Sequence, residues 1–211
     1  SIYVDQWDWE RTILPEHRNL SYLFKVVSDI YSVIYKLSRK ISFRYGMKYN
    51  LPKKISFVST SELLDLYPDL DNEQRVQEYI KLHKAAFIYK IGWPLKDGKP
   101  FDGRASDYDD WTLNGDILLW YEPLQIAYEI SSMGIRVDKE ALLHQLKEKK
   151  EEFKLNLPYH KAILENTLPL TIGGGIGQSR ICMYLLNKAH IGEVQVSYWN
   201  KEDIELFKRN N

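Results

Sequence analysis

The sequence contains a single cysteine, Cys182, which excludes an intramolecular disulfide and a cysteine-rich metal site. Because Cys182 lies in the apolar run ICMYLL, we expect its thiol to pack in the core rather than act as a nucleophile. The five histidines are scattered, with none at metal-ligand spacing from another, so no zinc site is predicted. A protein without disulfides suits a reducing compartment, and we expect it to be cytoplasmic.

An excess of positive charge is also missing, since 29 Lys and Arg residues face 29 Asp and Glu residues. This balance argues against a nucleic-acid-binding surface. Long apolar runs are absent too. The most apolar segment, residues 20–41, is interrupted by charged residues and does not match a membrane span. We therefore expect neither a nucleic acid nor a membrane as a partner.

The pattern of apolar residues predicts an α+β protein. Strands are predicted at residues 2–9, 54–58, 85–90, 116–121, 127–137, 170–172 and 194–197, and helices at 20–44, 59–66, 72–84, 138–150, 158–166, 178–188 and 201–209. Residues 92–115 are rich in Gly, Pro and Asp and are predicted to form a loop. Because strands and helices do not alternate regularly, we expect an antiparallel sheet flanked by helices, in one domain over residues 1–211.

The glycine run GGGIG at residues 173–177 follows a short predicted strand and precedes a predicted helix. Glycines let a backbone approach a ligand closely, and a helix N-terminus favours an anion. The run is neither a P-loop nor a dinucleotide fingerprint, because Gln178 stands where the last glycine of the fingerprint would be. Arg180 in the first helical turn opposes the helix dipole, which an anionic or aromatic ligand would explain. The glycine run alone fits either a ligand site or a packing turn.

The segment EISSMGIRVD, residues 129–138, places polar side chains in the middle of a predicted strand. Strict alternation puts Glu129 and Ser131 on one face and Ser132 on the other. Such a strand has either a solvated face or a face that binds a polar ligand. In the second case Glu129 and Asp116, on the neighbouring strand, would supply the carboxylates that Mg²⁺ prefers beside phosphates.

Two further segments combine carboxylates with aromatic rings. RASDYDDW, residues 104–111, is either a solvated acidic loop or a binding loop. In YVDQWDWE, residues 3–10, alternation places Gln6 and Asp8 on the same face. These two side chains would then point into one site.

These four segments and the trailing HIGEVQVSYW occur in the order found in the aspartate–ammonia ligases, the ammonia-dependent asparagine synthetases, which the chain resembles over residues 2–199. That family is similar in fold to the catalytic cores of the class II aspartyl- and asparaginyl-tRNA synthetases, and GGGIGQSR corresponds to their third motif. The resemblance implies ATP-dependent amidation of L-aspartate by ammonia through a β-aspartyl-adenylate, with AMP and pyrophosphate released. It also implies a homodimer that uses ATP and Mg²⁺.

The resemblance assigns a role to particular residues of this chain. Catalytic roles are implied for Arg180, Asp109 and Arg136, and contacts to the amino acid for Gln6, Asp8, Asp109 and Ser132. Contacts to ATP or AMP are implied for Val4, Ile130, Ser131, Gly175, Gly177 and Arg180. Metal ligation is implied for Asp116 and Glu129.

The family's chains are longer at the N-terminus, so we expect this sequence to lack the first motif, much of the dimer interface and the second-motif arginine. Two hypotheses follow from this. The chain is either part of a genuine ligase or a non-catalytic relative that binds a nucleotide, an amino acid or a partner chain. A tRNA-charging enzyme is a weaker hypothesis, because no anticodon-binding domain and no basic excess are visible.

Overall fold

The computed structural model describes residues 3–210, in which a single β-sheet lies among helices. The elements in chain order are β1 (Gln6–Thr12), α1 (Leu20–Tyr45), β2 (Ser56–Ser59), α2 (Thr60–Leu66), α3 (Asn72–His83), β3 (Ala85–Tyr89), β4 (Asp109–Tyr121), β5 (Ile126–Arg136), α4 (Lys139–Lys149), α5 (Pro158–Leu164), β6 (Thr171–Gly177), α6 (Gln178–Leu185) and α7 (Lys201–Asn210). Short 3₁₀ helices lie at Pro15–His17, Glu152–Asn156 and Ile191–Glu193.

The strands form one mixed sheet in the order β1-β6-β5-β4-β3-β2. Neighbouring strands from β1 to β3 are antiparallel, whereas β3 and β2 are parallel. The chain passes through α2 and α3 between β2 and β3, which is the long connection that a parallel pair requires. The predicted α+β class with flanking helices is confirmed, but the sheet is mixed rather than wholly antiparallel.

The two faces of the sheet are covered differently. Along one face, the apolar side of α1 packs in a large cluster that includes Tyr31 of the helix and Phe87 and Ile117 of the sheet. On the opposite face, a smaller cluster that includes Leu63 of α2 and Ile80 of α3 covers the end formed by β2, β3 and β4. Burying one such side chain contributes about 1.5–3 kcal/mol. The remaining part of the second face, over β1, β6 and β5, carries polar side chains.

Three helix ends carry capping residues that are visible in the sequence. Ser59 and Glu62 form a capping box at the start of α2, and the side chain of Asp138 accepts a hydrogen bond from the backbone of Ala141 at the start of α4. Gly46, with φ of 69°, ends α1 in the left-handed conformation that glycine adopts without strain. These local signals fixed the boundaries because each depends on only a few neighbouring residues.

Several strand predictions were wrong in extent. β1 begins at Gln6 and runs to Thr12, and Ile2, where the predicted strand starts, lies outside the described residues. β4 begins at Asp109, inside the predicted loop, because Asp109 pairs with Arg136 of β5 and the pairing resumes at Asn114 after a register shift. Residues 194–197 form no strand; they follow the 3₁₀ helix Ile191–Glu193 as irregular chain.

Two other expectations differ from the structure. The glycine run, which was predicted to follow a short strand at residues 170–172, is itself most of β6 and is hydrogen-bonded to β1 on one side and to β5 on the other. Cys182 lies on the exposed side of α6, whereas its neighbours Ile181 and Met183 are buried. The helical period therefore turns the thiol away from the core. No helix within residues 3–210 combines the length and the apolar character that crossing a bilayer requires.

Candidate active site

One row of residues runs across four neighbouring strands of the polar face. Asp8 of β1 pairs with Gly175 of β6, which pairs with Ser132 of β5, which pairs with Asp116 of β4. Paired residues on neighbouring strands project to the same face. The row therefore aligns two carboxylates and a hydroxyl, with a gap at Gly175 where no side chain stands.

The glycines of β6 leave room for the charged side chains of neighbouring strands. A Cβ atom at Gly175 would lie 2.8 Å from Oδ1 of Asp8. A Cβ atom at Gly173 would collide with the carboxylate of Glu10 and the guanidinium of Arg136. The glycine run thus forms a strand whose missing side chains make the floor of a cavity. It is neither a phosphate-binding loop nor a simple packing turn.

A β-bulge at Ile130 decides which side chains of β5 reach this face. Ser131 pairs with Ile117 and Glu129 pairs with Leu118, which leaves Ile130 without a partner in the ladder. The bulge puts Glu129 on the same face as Ser132, contrary to the strict alternation that the sequence predicted. Ile130 itself is buried in the core.

The polar face forms a cavity of about 890 Å³, within the range of sites that enclose small-molecule ligands. The predicted site residues that line it are Val4, Gln6, Asp8, Asp109, Glu129, Ile130, Ser131, Ser132, Arg136, Gly175, Gly177 and Arg180. Val4 lies exposed, whereas the hydroxyl of Ser131 donates a hydrogen bond of 2.8 Å to the carbonyl oxygen of Gly175. Asp116 does not line the cavity, because Arg104 lies between its carboxylate and the open space.

Arg136 is the centre of a charged cluster at one end of the cavity. Its guanidinium forms an ion pair with Asp109 and donates hydrogen bonds of 2.7 and 3.1 Å to the carboxylate of Glu10. The ring of Tyr108 lies 4.0 Å from the guanidinium carbon. Burial raises the pKa of the Asp109 carboxyl, although the charge of Arg136 opposes the shift. Glu10 was not among the predicted site residues; its position in the alternating segment, on the same face as Asp8, was the available signal.

Arg104 and Asp116 form a second buried pair. Arg104 contacts the Asp116 carboxylate and donates a hydrogen bond of 3.1 Å to the hydroxyl of Ser132. Burial raises the pKa of Asp116 to about 6, against the opposing charge of Arg104. The other carboxylate oxygen, Oδ1, is buried without a hydrogen-bond partner. Sequence reasoning did not select Arg104, because only the fold brings it onto the strand residue Asp116.

The carboxylates of Asp116 and Glu129 fit one part of a magnesium site. Both lie on the same face, and Oδ1 of Asp116 is buried without a hydrogen-bond partner, so its lone pairs are not used by another protein group. Among residues 3–210 there is no group of three or more His, Cys, Asp or Glu side chains that could hold a metal. Mg²⁺ is commonly held by one or two carboxylates together with substrate phosphates and water. The donors present therefore suit an ion that arrives with a phosphate ligand.

Arg180, at the start of α6, faces the cavity from the other side. Its guanidinium donates a hydrogen bond of 2.7 Å to the carboxylate of Glu129, and 48% of its side chain is exposed. Behind it, Asp5 accepts hydrogen bonds from the hydroxyl of Ser179 at 2.6 Å and from Gln195 at 3.0 Å. The Ser179 hydrogen bonds lower the pKa of Asp5. This cluster fixes the first turn of α6 against the chain that enters β1, and so positions Arg180.

The acidic segment at residues 104–111 proves to be partly structural and partly a cavity wall. Asp107 points away from the cavity and contacts Lys154 at 3.2 Å and His160 at 3.1 Å. Its neighbours Tyr108 and Asp109 line the cavity. Neither interpretation covers the whole segment, because Asp107 forms structural ion pairs whereas Tyr108 and Asp109 line the cavity.

The fold places the chain with the catalytic cores of the class II aminoacyl-tRNA synthetases. An asparaginyl-tRNA synthetase from Entamoeba histolytica matches 89% of this chain with a TM-score of 0.59 and 15% sequence identity, over 46% of its own length. An aspartyl-tRNA synthetase from the same organism matches 91% of the chain with a TM-score of 0.59 and 18% identity, over 42% of its length. At these identities the likeness concerns the fold alone.

Within that fold, the family follows from the sequence. Residues 1–211 match the family model described as aspartate-ammonia ligase, and the chain belongs to this family. Curated relatives named aspartate–ammonia ligase include proteins of Lactobacillus johnsonii, 56% identical over 99% of this chain, and of Bacillus mycoides, 53% identical over 100% of it. The chain spans 62% of the first relative's length and 65% of the second's.

Proposed function

We propose that this chain carries the adenylate-forming site of an ATP-dependent aspartate–ammonia ligase. The β-carboxylate of L-aspartate attacks the α-phosphorus of ATP and expels pyrophosphate. Ammonia then attacks the activated β-carbonyl, AMP leaves, and loss of a proton gives L-asparagine. The observation that carries the proposal is the register row of Asp8, Ser132 and Asp116 on the polar face. Asp8 and Ser132 line the cavity together with Arg136 and Arg180, and Asp116 lies directly behind Arg104.

The amino acid belongs at the end of the cavity formed by β1 and β5. Gln6 donates a hydrogen bond of 3.0 Å to Asp8 and so orients its carboxylate. Asp8 and Asp109 provide negative charge for the α-ammonium group, and Ser132 provides a hydroxyl between them and Asp116. Arg136 provides the cation for a substrate carboxylate. Its position is fixed in advance by Asp109 and Glu10, so orientation requires little reorganisation on binding.

The nucleotide belongs at the other end of the cavity, beside α6. Arg180 is partly exposed there, and its ion pair with Glu129 can open towards a phosphate or a base. Gly175 and Gly177 of β6 allow a nucleotide to approach their backbone closely. Val4, Ile130 and Ser131 complete this wall. A similar asparaginyl-tRNA synthetase structure from Entamoeba histolytica is described as a complex with asparaginyl-adenylate, which supports an adenylate in this fold.

The chemistry needs charge neutralisation more than a side-chain nucleophile. Two anions, the β-carboxylate and the α-phosphate, must meet, and fixed cations stabilise the charge that develops. Asp116 and Glu129 would hold Mg²⁺, which neutralises phosphate charge when bound. Arg180 and Arg136 stabilise the remaining negative charge at the two ends of the cavity. These roles explain why the cavity has arginines and carboxylates but needs no cysteine or serine nucleophile.

Several wider properties belong to the same proposal. We expect residues 1–211 to fold as one domain, and the protein to act as a cytoplasmic homodimer with ATP and Mg²⁺. We expect no nucleic acid partner, since the net charge is zero, and no membrane partner, since the most apolar segment of the sequence is interrupted by charged residues.

The decisive experiment measures aspartate-dependent exchange of labelled pyrophosphate into ATP by the 211-residue chain, with Mg²⁺ and without tRNA. In parallel, calorimetry measures binding of a sulfamoyl analogue of β-aspartyl-adenylate. Exchange that requires aspartate supports the proposal. Analogue binding without exchange would instead identify a binding relative, and a folded protein that shows neither would overturn the proposed site.

A further inference from the structure

The ion pair between Arg104 and Asp116 occupies the carboxylate that the proposed function assigns to a metal ion, so a metal ion cannot reach it while the pair is formed. The side chains are only 21% and 11% exposed, so the pair is largely removed from water. Arg104 contacts Asp116 through one nitrogen, Nη2, and Ser132 through another, Nη1. A guanidinium cation thus stands where a divalent cation would reach the carboxylate.

The pairing leaves hydrogen-bonding capacity unused on both sides. Nε of Arg104 and Oδ1 of Asp116 are buried without a partner. A permanent structural pair between these groups is commonly bidentate, with two parallel N–H···O contacts that satisfy both. An unsatisfied buried polar atom costs about 1–3 kcal/mol. Because the pairing is incomplete, Oδ1 of Asp116 keeps lone pairs that can coordinate another cation.

Arg104 also lies on a part of the chain where its side chain has room to move. It belongs to the irregular segment before β4, whereas Arg136 is part of a strand. Arg104 itself lines the cavity, so open space lies beside its side chain. Moving the guanidinium of Arg104 into the cavity therefore requires no change in the sheet.

We propose that Arg104 occupies the cation position of Asp116 in the ligand-free protein, and that a divalent cation binds there only by displacing it. The inference rests on the proposed function for the identity of Asp116 as a metal ligand. No covalent bond changes; one ion pair is exchanged for another. Glu129 is held in the same manner by Arg180 at 2.7 Å. Phosphates of a nucleotide would accept the displaced arginines, which couples metal binding to nucleotide binding.

The test measures Mn²⁺ affinity by the electron paramagnetic resonance signal of free Mn²⁺, with no nucleotide present. We expect Arg104→Gln to bind Mn²⁺ at least about tenfold more tightly than the unaltered chain, because a competing charge in contact with the carboxylate is removed. Lys96→Gln is the matched control. It removes one positive charge from an exposed pair with Asp65 and should leave Mn²⁺ affinity unchanged.

A double variant locates the gain at Asp116. In Arg104→Gln/Asp116→Asn both charges are gone while both side chains stay polar, and urea unfolding checks that the chain still folds. The added Mn²⁺ affinity should disappear. Unchanged affinity in Arg104→Gln, or a gain that survives in the double variant, would overturn the inference. Because neither ATP nor aspartate is present, a chain that fails the exchange assay can still show the gain, and the two proposals fail separately.

Discussion

Asp8 and Asp116 lie in one register row of the sheet, separated by Gly175 and Ser132. Three strand spacings put their backbones about 14 Å apart. An aspartyl-adenylate is an extended molecule with an ammonium group at one end and a phosphate further along. Under the proposed function, the carboxylate of Asp8 would meet the amino acid and that of Asp116 would meet the metal ion beside the phosphate.

Replacing Gly175 with alanine should damage binding more than folding. The new Cβ atom would lie 2.8 Å from Oδ1 of Asp8 and 3.1 Å from Nε2 of Gln6, so these flexible side chains must shift. We expect aspartate-dependent exchange to fall at least about tenfold, because small displacements of positioning groups cost this much or more. Stability, measured by urea unfolding, should change by less than about 1 kcal/mol.

Gly103→Ala is the matched control for this prediction, because its Cβ atom would meet nothing within 4 Å. Both exchange and stability should be unchanged in that variant. Normal exchange in Gly175→Ala would show that the gap in the register row is not needed for catalysis.

Replacing Arg136 with glutamine should destabilise the fold. Only 9% of the Arg136 side chain and 13% of the Asp109 side chain are exposed, so the variant leaves a buried carboxylate without its partner. We expect a loss of about 3–5 kcal/mol in the free energy of unfolding. The double variant Arg136→Gln/Asp109→Asn should recover part of that loss. A double variant whose loss equals the sum of the two single losses would contradict the coupling.

Arg180→Gln should reduce pyrophosphate exchange strongly and leave the free energy of unfolding almost unchanged. Its ion pair with Glu129 is about half exposed, and such pairs contribute little to stability, so unfolding should change by less than about 0.5 kcal/mol. Exchange of pyrophosphate should fall on the order of 10²–10³-fold, by analogy with the loss of one stabilising group at a developing charge. Thermal unfolding and the exchange assay on one preparation separate the two effects. A stable variant with full exchange would remove Arg180 from the proposed mechanism.

Asp5 should make stability depend on pH in the acid range. Hydrogen bonds from Ser179 lower its pKa below the usual value of 3.8, so the unfolded chain takes up the proton first as the pH falls. Its contribution is present above that usual value and is lost as the pH falls through the folded-state pKa. Urea unfolding between about pH 7 and pH 3 should show a steeper loss for the unaltered chain than for Asp5→Asn. Equal slopes would show that Asp5 has the same pKa in both states.

Much of the fold could be predicted because the signals are local. The capping residues Ser59 and Asp138 and the glycine after α1 set helix ends within a few residues. The neighbouring strands that carry Asp116 and Glu129 were also predicted correctly. The start of β4 was missed because its polar, aspartate-rich beginning is typical of a loop, and only pairing with β5 makes it a strand.

The sequence predicted which residues line the candidate site better than it predicted how their side chains are arranged. Every predicted residue except Asp116 lines the cavity, although their individual roles stay predictions. Alternation correctly placed Gln6 and Asp8 together, as their hydrogen bond shows. Alternation failed for Glu129, because Ile130 has no partner on β4 and interrupts the alternation. Residues of β5 before Ile130 therefore project to the face opposite to the one that strict alternation predicts.

The sequence by itself determined the helices, their caps, the mixed α and β content and the ordered motifs of the family, because each is specified over short stretches of chain. Only the tertiary structure decided that the glycine run is a strand, that Glu129 shares a face with Ser132, and that Arg104 lies on Asp116. Strand pairing and bulges are set by contacts between residues far apart in the chain. Which side chains share a site therefore depends on the register between strands, and this register cannot be derived from the alternation of residues along a single strand.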